Sequence, residues 1–577
     1  MNRVFAHLDA GTIAYFSMDV AIDSGIPTYS GGLGILAGDT LRSAADLEAP
    51  MVAVTLLHRK GYFEQRLDSK GNQLETPSKW SPENRLEPLS PQVTISIEGR
   101  NVGVRAWRYL FGGVSGHGVP LFFLDTNLDE NDPRDRALTD HLYGGDELYR
   151  LCQEVVLGFG GVAMLRTLGY TNLRVFHMNE GHSAFITLAL LQEQAGAKLD
   201  GGFSETQVET VRRQCVFTTH TPVPAGHDRF RADLVRQVLG EALAAELRQM
   251  RVMDGELNMT ELALRLSGFV NGVSMRHGEV TRAMFPDYNI KAITNGVHAA
   301  TWAAEPFAAL YDRRIPQWRR DNGYLRYAVG IPVAEIRQAH RQAKQALLQQ
   351  VRWLTGSQLD EKVFTVGFAR RATAYKRADL LFSDLERLKQ IAREAGPLQL
   401  VYAGKAHPRD QAGKAIIRRI FEAAAALANY VRVVYLENHD MALGKLLCAG
   451  VDVWLNTPLR PQEASGTSGM KAALNGVPSF SIIDGWWVEG HIEGVTGWSI
   501  EAPNGAENDS VAEAISLYDK LADVILPLFY NQPDKFDEVM RSAIAFNGSF
   551  FNTQRMLFQY LRNAYAPAYS NGLRPLA

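Results

Sequence analysis

Short apolar runs rich in β-branched and aromatic residues alternate along this chain with longer stretches of helical periodicity. In the first half the runs are IAYFSM (13–18), MVAVTLL (51–57), VPLFFLDT (119–126), LRVFHMN (173–179), QCVFTTH (214–220) and IKAITNG (290–296). In the second half they are VFTVGFA (363–369), LQLVYAG (398–404), VRVVYLE (431–437), VDVWLNTP (451–458) and SFSIIDG (479–485). Continuously apolar strands separated by helices predict parallel sheets covered on both faces. The pattern runs twice, and 305–361 between the halves is polar, helical and strand-poor. The prediction is an α/β chain of two doubly wound, Rossmann-like domains, 1–305 and 306–577, with a cleft between them. The stretch from Ser510 onward reads as helical and ends in a Pro/Gly/Asn-containing tail. In such sheets ligands sit outside the carboxyl ends of the strands, so the residues just after each run are the ones to inspect.

Bulk properties narrow the choice of partner. A chain of 577 residues exceeds what one hydrophobic core organises. Its 60 basic and 63 acidic residues give a net charge of −3. That balance does not steer towards nucleic acid or anionic membrane. Cys152, Cys215 and Cys448 are far apart and form no CxxC pair, which fits a reducing cytosol better than a disulfide or zinc–thiolate framework. The N-terminus lacks the apolar stretch of a secretory signal, and the longest apolar run, near 155–165, is about half of what a membrane span needs. The expectation is a soluble cytoplasmic protein.

Three segments carry chemistry. The first is YSGGLGILAGD (29–39), whose glycines precede a helical pattern and can turn backbone N–H groups towards an anion. A turn needed only for chain reversal reads the same way. The second is GFARRATAYKR (367–377), with four cations in 370–377 directly after a strand. A solvated basic face is the bland alternative; the strand-end position favours phosphate, for which arginine forks and a lysine point charge are suited. The third, LRPQEASGTSGMKAALNG (459–476), puts small residues at a helix start and Lys471 in the first helical turn among apolar neighbours. A lysine partly desolvated beside other cations loses proton affinity and can form a Schiff base. His177 and His182 bracket Glu180, but at a spacing that fits no common zinc motif, so no metal is assigned.

These strings resemble the hallmark segments of the α-glucan (glycogen, starch, maltodextrin) phosphorylases, in a short bacterial-type form. The likeness continues through 178–182 (MNEGH), 218–221 (TTHT), 294–296 (TNG), GKAHP and LEN, and spans roughly residues 10 to 500 in unbroken order. It implies the glycosyltransferase-B fold and reversible phosphorolysis of an α-1,4-glucan end to α-glucose 1-phosphate, with retention of configuration. It also implies pyridoxal 5'-phosphate held on Lys471, with Gly466, Thr467, Ser468, Trp302 and Lys376 as further cofactor contacts. Catalytic roles fall to Arg370, Arg371, Lys376 and His220. Substrate contacts fall to Gly31, Gly32, Leu33, His220, Asn295, Tyr375, Glu463, Ala464, Ser465 and Gly466. Trp302 and Tyr375 read equally well as packed core aromatics.

The sequence departs from the animal and plant enzymes at Arg370 (lysine there), at Thr373 (histidine there) and at Ser468-Gly469 (Gly-Asn there). The expected partners are a glucan or maltooligosaccharide, inorganic phosphate and, by family habit, a second copy in a homodimer. No nucleic acid, membrane or control at an N-terminal regulatory segment is expected. Segment 125–145 stands where the family has a gate loop. Two rivals remain at this point: a nucleotide-sugar glycosyltransferase of the same fold and an inactive glucan-binding protein. The first commonly has glutamates eight positions apart, whereas the residue eight after Glu463 is Lys471.

Overall fold

A computed structural model of the chain describes residues 12–196, 202–502 and 508–566; the tail after Ala566 lies outside them. Two large sheets organise these residues. The first is built from β1 (Thr12–Phe16), β2 (Met51–Leu56), β3 (Glu87–Ile97), β4 (Arg100–Gly112), β5 (Gly118–Asp125), β6 (Leu173–Asn179), β7 (Cys215–Thr218), β8 (Phe269–Gly272) and β9 (Ile290–Ala292). Their order is β9-β8-β7-β6-β1-β2-β5-β4-β3. Pairing is parallel from β9 through β5 and antiparallel for β4 and β3. The second sheet holds β10 (Phe364–Ala369), β11 (Leu398–Ala403), β12 (Arg432–Leu436), β13 (Val453–Asn456), β14 (Ser479–Ile482) and β15 (Gly497–Ile500), in the order β12-β11-β10-β13-β14-β15. Every pair in it is parallel.

Each of the eleven strands expected from the apolar runs is present. Those of the second sheet's centre are buried at every position, as continuous apolar sequence requires. The long antiparallel pair β3–β4 was not anticipated. Strand β3 lies at the sheet edge and alternates polar and apolar residues, so only part of it is buried and no apolar run marks it. Residues 305–361 form two α-helices, Glu305–Arg314 and Val333–Thr355, with a 3-10 helix, Asn322–Gly330, between them, and no strand. The helical run Glu147–Thr167 is long and apolar enough to cross a bilayer by composition, but 72% of its apolar window is buried inside the protein. It is a core helix.

The second sheet, numbered within itself, has strand order 3-2-1-4-5-6, with its switch point between β10 and β13. The first sheet switches between β1 and β6. Ligand crevices belong at these points, and both face the same interlobe cleft. The lobes are tied across it. A hairpin from the first lobe, Glu64–Leu67 and Gln73–Thr76, pairs its glutamines with backbone of the second: Gln65 Nε2 donates to Gly404 O (3.0 Å) and Gln73 Nε2 to Ala406 O (2.8 Å). On another flank, Thr294 Oγ1 donates to Glu489 (2.7 Å) and Ser274 Oγ to Ala464 O (2.7 Å). The last helix, Thr553–Tyr560, returns to the first lobe, where Met556, Leu557 and Tyr560 join the core around Ile13 and Val216. Tyr560 Oη lies 3.0 Å from both Thr218 Oγ1 and Asn271 Nδ2.

One buried ion cluster pins helix Val333–Thr355 to the second sheet. Asp452 takes Lys344 Nζ (2.6 Å), His340 Nε2 (2.9 Å) and the Thr365 amide (2.7 Å). Burial raises its carboxyl pKa, but the Lys344 and His340 contacts outweigh this and hold it below the usual range. Asp452→Asn leaves Lys344 buried without its counter-charge, which costs about 3–5 kcal/mol. Because the folded pKa is depressed, the stabilisation is present above the ordinary carboxylate range and fades as pH falls below it. Urea unfolding should therefore show a wide gap between wild type and variant at pH 7 that narrows below about pH 4.

Candidate active site

The cleft encloses a cavity of about 870 Å³, lined from both lobes. Strand β10 delivers the basic segment to it. Of the four cations, Arg370, Arg371 and Lys376 line the cavity. Arg377 turns away at φ 44° and is buried against Thr457 O (2.9 Å), Pro458 O (2.9 Å) and Glu513 (2.6 Å). Its role is to anchor the loop.

Strand β13 delivers the partner. Both Glu463 oxygens are held by Arg370, at 2.7 and 2.8 Å, and Lys376 Nζ bonds the same carboxylate. Burial pushes the Glu463 carboxyl up, but the Arg370 and Lys376 charges dominate and bring it down to about 2. The cluster of one carboxylate and two cations keeps a net positive charge. Arg371 adds to it, exposed at the cavity and without a hydrogen bond or ion pair among the described residues.

After Glu463 the chain turns through Ala464, Ser465 and Gly466 into helix Thr467–Leu474. Gly466 caps it at φ 91°, and a Cβ there would lie 3.3 Å from Trp486 Cδ1, so glycine is required. Lys471 is the fifth residue of this helix, past the first turn in which it was expected, because the helix already starts at Thr467, directly after Gly466. It is 6% exposed and lines the cavity, with Nζ 3.9 Å from the centroid of the Trp302 ring. Burial, opposed by Asp39, lowers the proton affinity of its amine. Cys448, Trp454 and His439 line the cavity in the same lobe, and burial brings His439 down to about 4.

The first lobe supplies the facing wall. Gly31, Gly32 and Leu33 begin helix Gly32–Asp46, and a Cβ at either glycine would meet nothing within 4 Å. His220 and Asn295 complete that wall, with Tyr375 opposite. His220 Nε2 lies 2.7 Å from Asn179 Oδ1 and its amide donates to Glu180 (2.7 Å); burial keeps the ring neutral. Asn295 Oδ1 and Ser465 Oγ are buried and without hydrogen-bond partners among the described residues. Every residue named from the sequence as catalytic, cofactor-binding or substrate-binding thus lines one cavity.

Residues 227–564 match the family described as carbohydrate phosphorylases. The chain belongs to that family. It is 37% identical to the maltodextrin phosphorylase of Thermococcus litoralis over 97% of this chain and 71% of that protein. Identity to the glycogen phosphorylase of Mycobacterium tuberculosis is 38%, over 96% and 71%. To the glycogen phosphorylase of Aquifex aeolicus it is 34%, over 98% and 88%. The two doubly wound lobes are the glycosyltransferase-B fold of these phosphorylases.

Two residues at or beside this cavity were given no role from the sequence. Asp19, three residues past β1, accepts the Ser30 amide (3.2 Å) and the Tyr143 hydroxyl (3.2 Å), which fixes the glycine loop and the end of segment 125–145 together. Burial pushes its carboxyl up to about 6. Glu180 stands at φ 83° and ψ 163°, a region nearly reserved for glycine. Its carboxylate accepts Gly181 N (2.9 Å), His220 N (2.7 Å) and Thr221 Oγ1 (3.0 Å), contacts that hold the strained backbone. Both residues follow strand ends, the signal that finds them. No group of His, Cys, Asp or Glu suited to a metal ion occurs among the described residues.

Glu463→Gln removes the charge that neutralises two buried cations. Stability should drop by about 3–5 kcal/mol at pH 7. The depressed carboxyl stabilises the fold above the ordinary glutamate range and loses this only as pH approaches about 2. Chemical denaturation at pH 7 and pH 4 should therefore still separate the variant from wild type at the lower pH.

Proposed function

We propose that this chain is an α-1,4-glucan phosphorylase. It transfers the non-reducing-end glucosyl unit of a glucan to inorganic phosphate, reversibly and with retention, releasing α-glucose 1-phosphate. The observation that carries this reading is the convergence of Lys471, the Arg370–Lys376 turn and the glycine loop on one cavity between the lobes.

The residues present fit pyridoxal 5'-phosphate. A buried lysine whose amine is biased towards the neutral form is a competent carbonyl nucleophile. Trp302 backs it with an aromatic face, and the amides of Thr467 and Ser468 begin the helix beside it, where an anion is favoured. Lys471 would hold the cofactor, with Gly466, Thr467, Ser468 and Lys376 around its phosphate. When bound, the group supplies a phosphate monoester whose second pKa of about 6 lets it exchange a proton at working pH.

The rest of the chemistry belongs to the protein's own groups. Arg370, Arg371 and Lys376 gather the substrate phosphate. Arg371 is the free donor, while Arg370 and Lys376 are held in place by Glu463. The amides of Gly31 and Gly32 add neutral donors from the opposite lobe. Glu463, Ala464, Ser465 and Gly466 grip the glucosyl hydroxyls on one side; Asn295, Leu33, Tyr375 and the His220 carbonyl face it on the other. The unpartnered Asn295 Oδ1 and Ser465 Oγ are polar atoms that a sugar hydroxyl satisfies. Held in this way, the ring develops positive charge at its anomeric carbon beside phosphate oxygens, which stabilises an oxocarbenium-like transition state. A nucleotide-sugar transferase of the same fold is disfavoured, because Lys471 occupies the position where such enzymes carry a ribose-binding glutamate. We place the division between lobes near 305/306, with the final helix returning to the first lobe, and regard the protein as cytoplasmic and dimeric by family habit.

Incubation with maltooligosaccharides of graded length and phosphate should yield glucose 1-phosphate; no product at any length defeats the reading. The purified protein should carry a chromophore that Lys471→Ala abolishes together with activity. Arg371→Ala should raise the KM for phosphate far more than that for glucan, at about 2–4 kcal/mol of lost transition-state stabilisation in kcat/KM. Equal effects on both substrates would remove Arg371 from its role.

A further inference from the structure

Helix Gly32–Asp46 carries an acidic residue that the chemistry above leaves unassigned. Asp39 is buried, with 1% exposure. Its Oδ2 accepts the indole Nε1–H of Trp302 at 2.7 Å and the His298 amide at 3.2 Å, and its Oδ1 lies 3.4 Å from Arg42 Nη1. The face of that same indole carries the Lys471 amine, 3.9 Å from the ring centroid. An indole whose N–H is bonded to a carboxylate gains electron density in the ring, which favours a cation on its face.

The helix that bears Asp39 is locked in place. Its Gly38 packs so closely on Ala21 O that a Cβ would approach to 2.0 Å. Arg42 bonds the Ile22 carbonyl, Ser43 Oγ lies 2.6 Å from Thr553 Oγ1, and Asp46 bonds His298 Nε2 at 2.9 Å. About 10 Å of helix separates Gly32 from Asp39. One rigid rod therefore carries both the anion loop and the grip on Trp302.

We propose that Asp39 is a positioning residue for Lys471: by holding the edge of the Trp302 indole it sets the aromatic surface on which the cofactor-bearing amine rests. The inference rests on the reading of Lys471 as the cofactor lysine. The charged and titratable groups around that amine are Asp39 from this helix, Cys448 and His439 from the second lobe, and Arg370 after β10. Among them Asp39 first and Cys448 second favour the protonated nitrogen, whereas burial and Arg370 oppose it.

The test uses full-length protein with bound pyridoxal phosphate, and far-UV circular dichroism to confirm folding. Asp39→Asn keeps an acceptor for the indole and removes only the charge. It should retain the cofactor, while the midpoint of the pH-dependent change in cofactor absorbance moves down by about one unit. Asp39→Ala removes the acceptor as well and should lower cofactor occupancy and kcat about tenfold, with the KM for glucan little changed. Because the effect runs through the indole, Asp39→Ala combined with Trp302→Phe should lose no more than the worse single variant. Wild-type occupancy and midpoint in folded Asp39→Ala, or additive losses in the double variant, would overturn the inference while leaving the cofactor reading intact. A wild-type protein without the absorbance band would instead remove the cofactor reading, and this inference with it.

Discussion

A carboxylate as deeply buried as Glu463 persists only if its charge is answered, and the way it is answered here fixes the floor of the cleft. Arg370 and Lys376 leave strand β10, Glu463 follows strand β13, and these strands are neighbours at the switch point of the second sheet. The bidentate arginine and the lysine draw two otherwise independent loops into one body. The arrangement over-compensates the carboxylate, so the floor remains electropositive. That excess, with Arg371 beside it, leaves an electropositive cavity floor, which favours an anion, in a protein whose charge as a whole is nearly balanced.

The opposite wall depends on a different device. Helix Gly32–Asp46 presents its open glycine turn to the cavity while its middle grips Trp302 through Asp39. Side-chain bonds from the hairpin 64–76 and from Thr294 and Ser274 hold the lobes across the cleft. Donors on both walls are therefore set before substrate arrives, and little reorganisation is needed when charge develops. Strain is stored where this ordering is tightest: Glu180 keeps an unfavourable backbone geometry because three donors bind its carboxylate, one of them the amide of His220.

Much of this was legible in sequence because the physics is local. Continuously apolar runs marked the parallel strands, and the rule that ligands gather at their carboxyl ends pointed to 370–377 and 459–476 before any contact was known. The edge strand β3 escaped because half of its residues face solvent. Lys471 lies one turn deeper in its helix than its neighbours in sequence suggest, since the helix starts directly after the left-handed Gly466.

Sequence alone determined the two doubly wound sheets, the positions of the cationic and glycine-rich turns, and a buried lysine after a small-residue loop, since periodicity and strand-end position follow from nearest-neighbour chemistry. Tertiary structure decided which cations face the cavity and which, like Arg377, are spent on anchoring. It paired Glu463 with Arg370 and Lys376, set Asp39 behind Trp302, and sent the last helix back to the first lobe. Those outcomes depend on contacts between residues tens to hundreds of positions apart, where burial, not local pattern, determines which charge meets which.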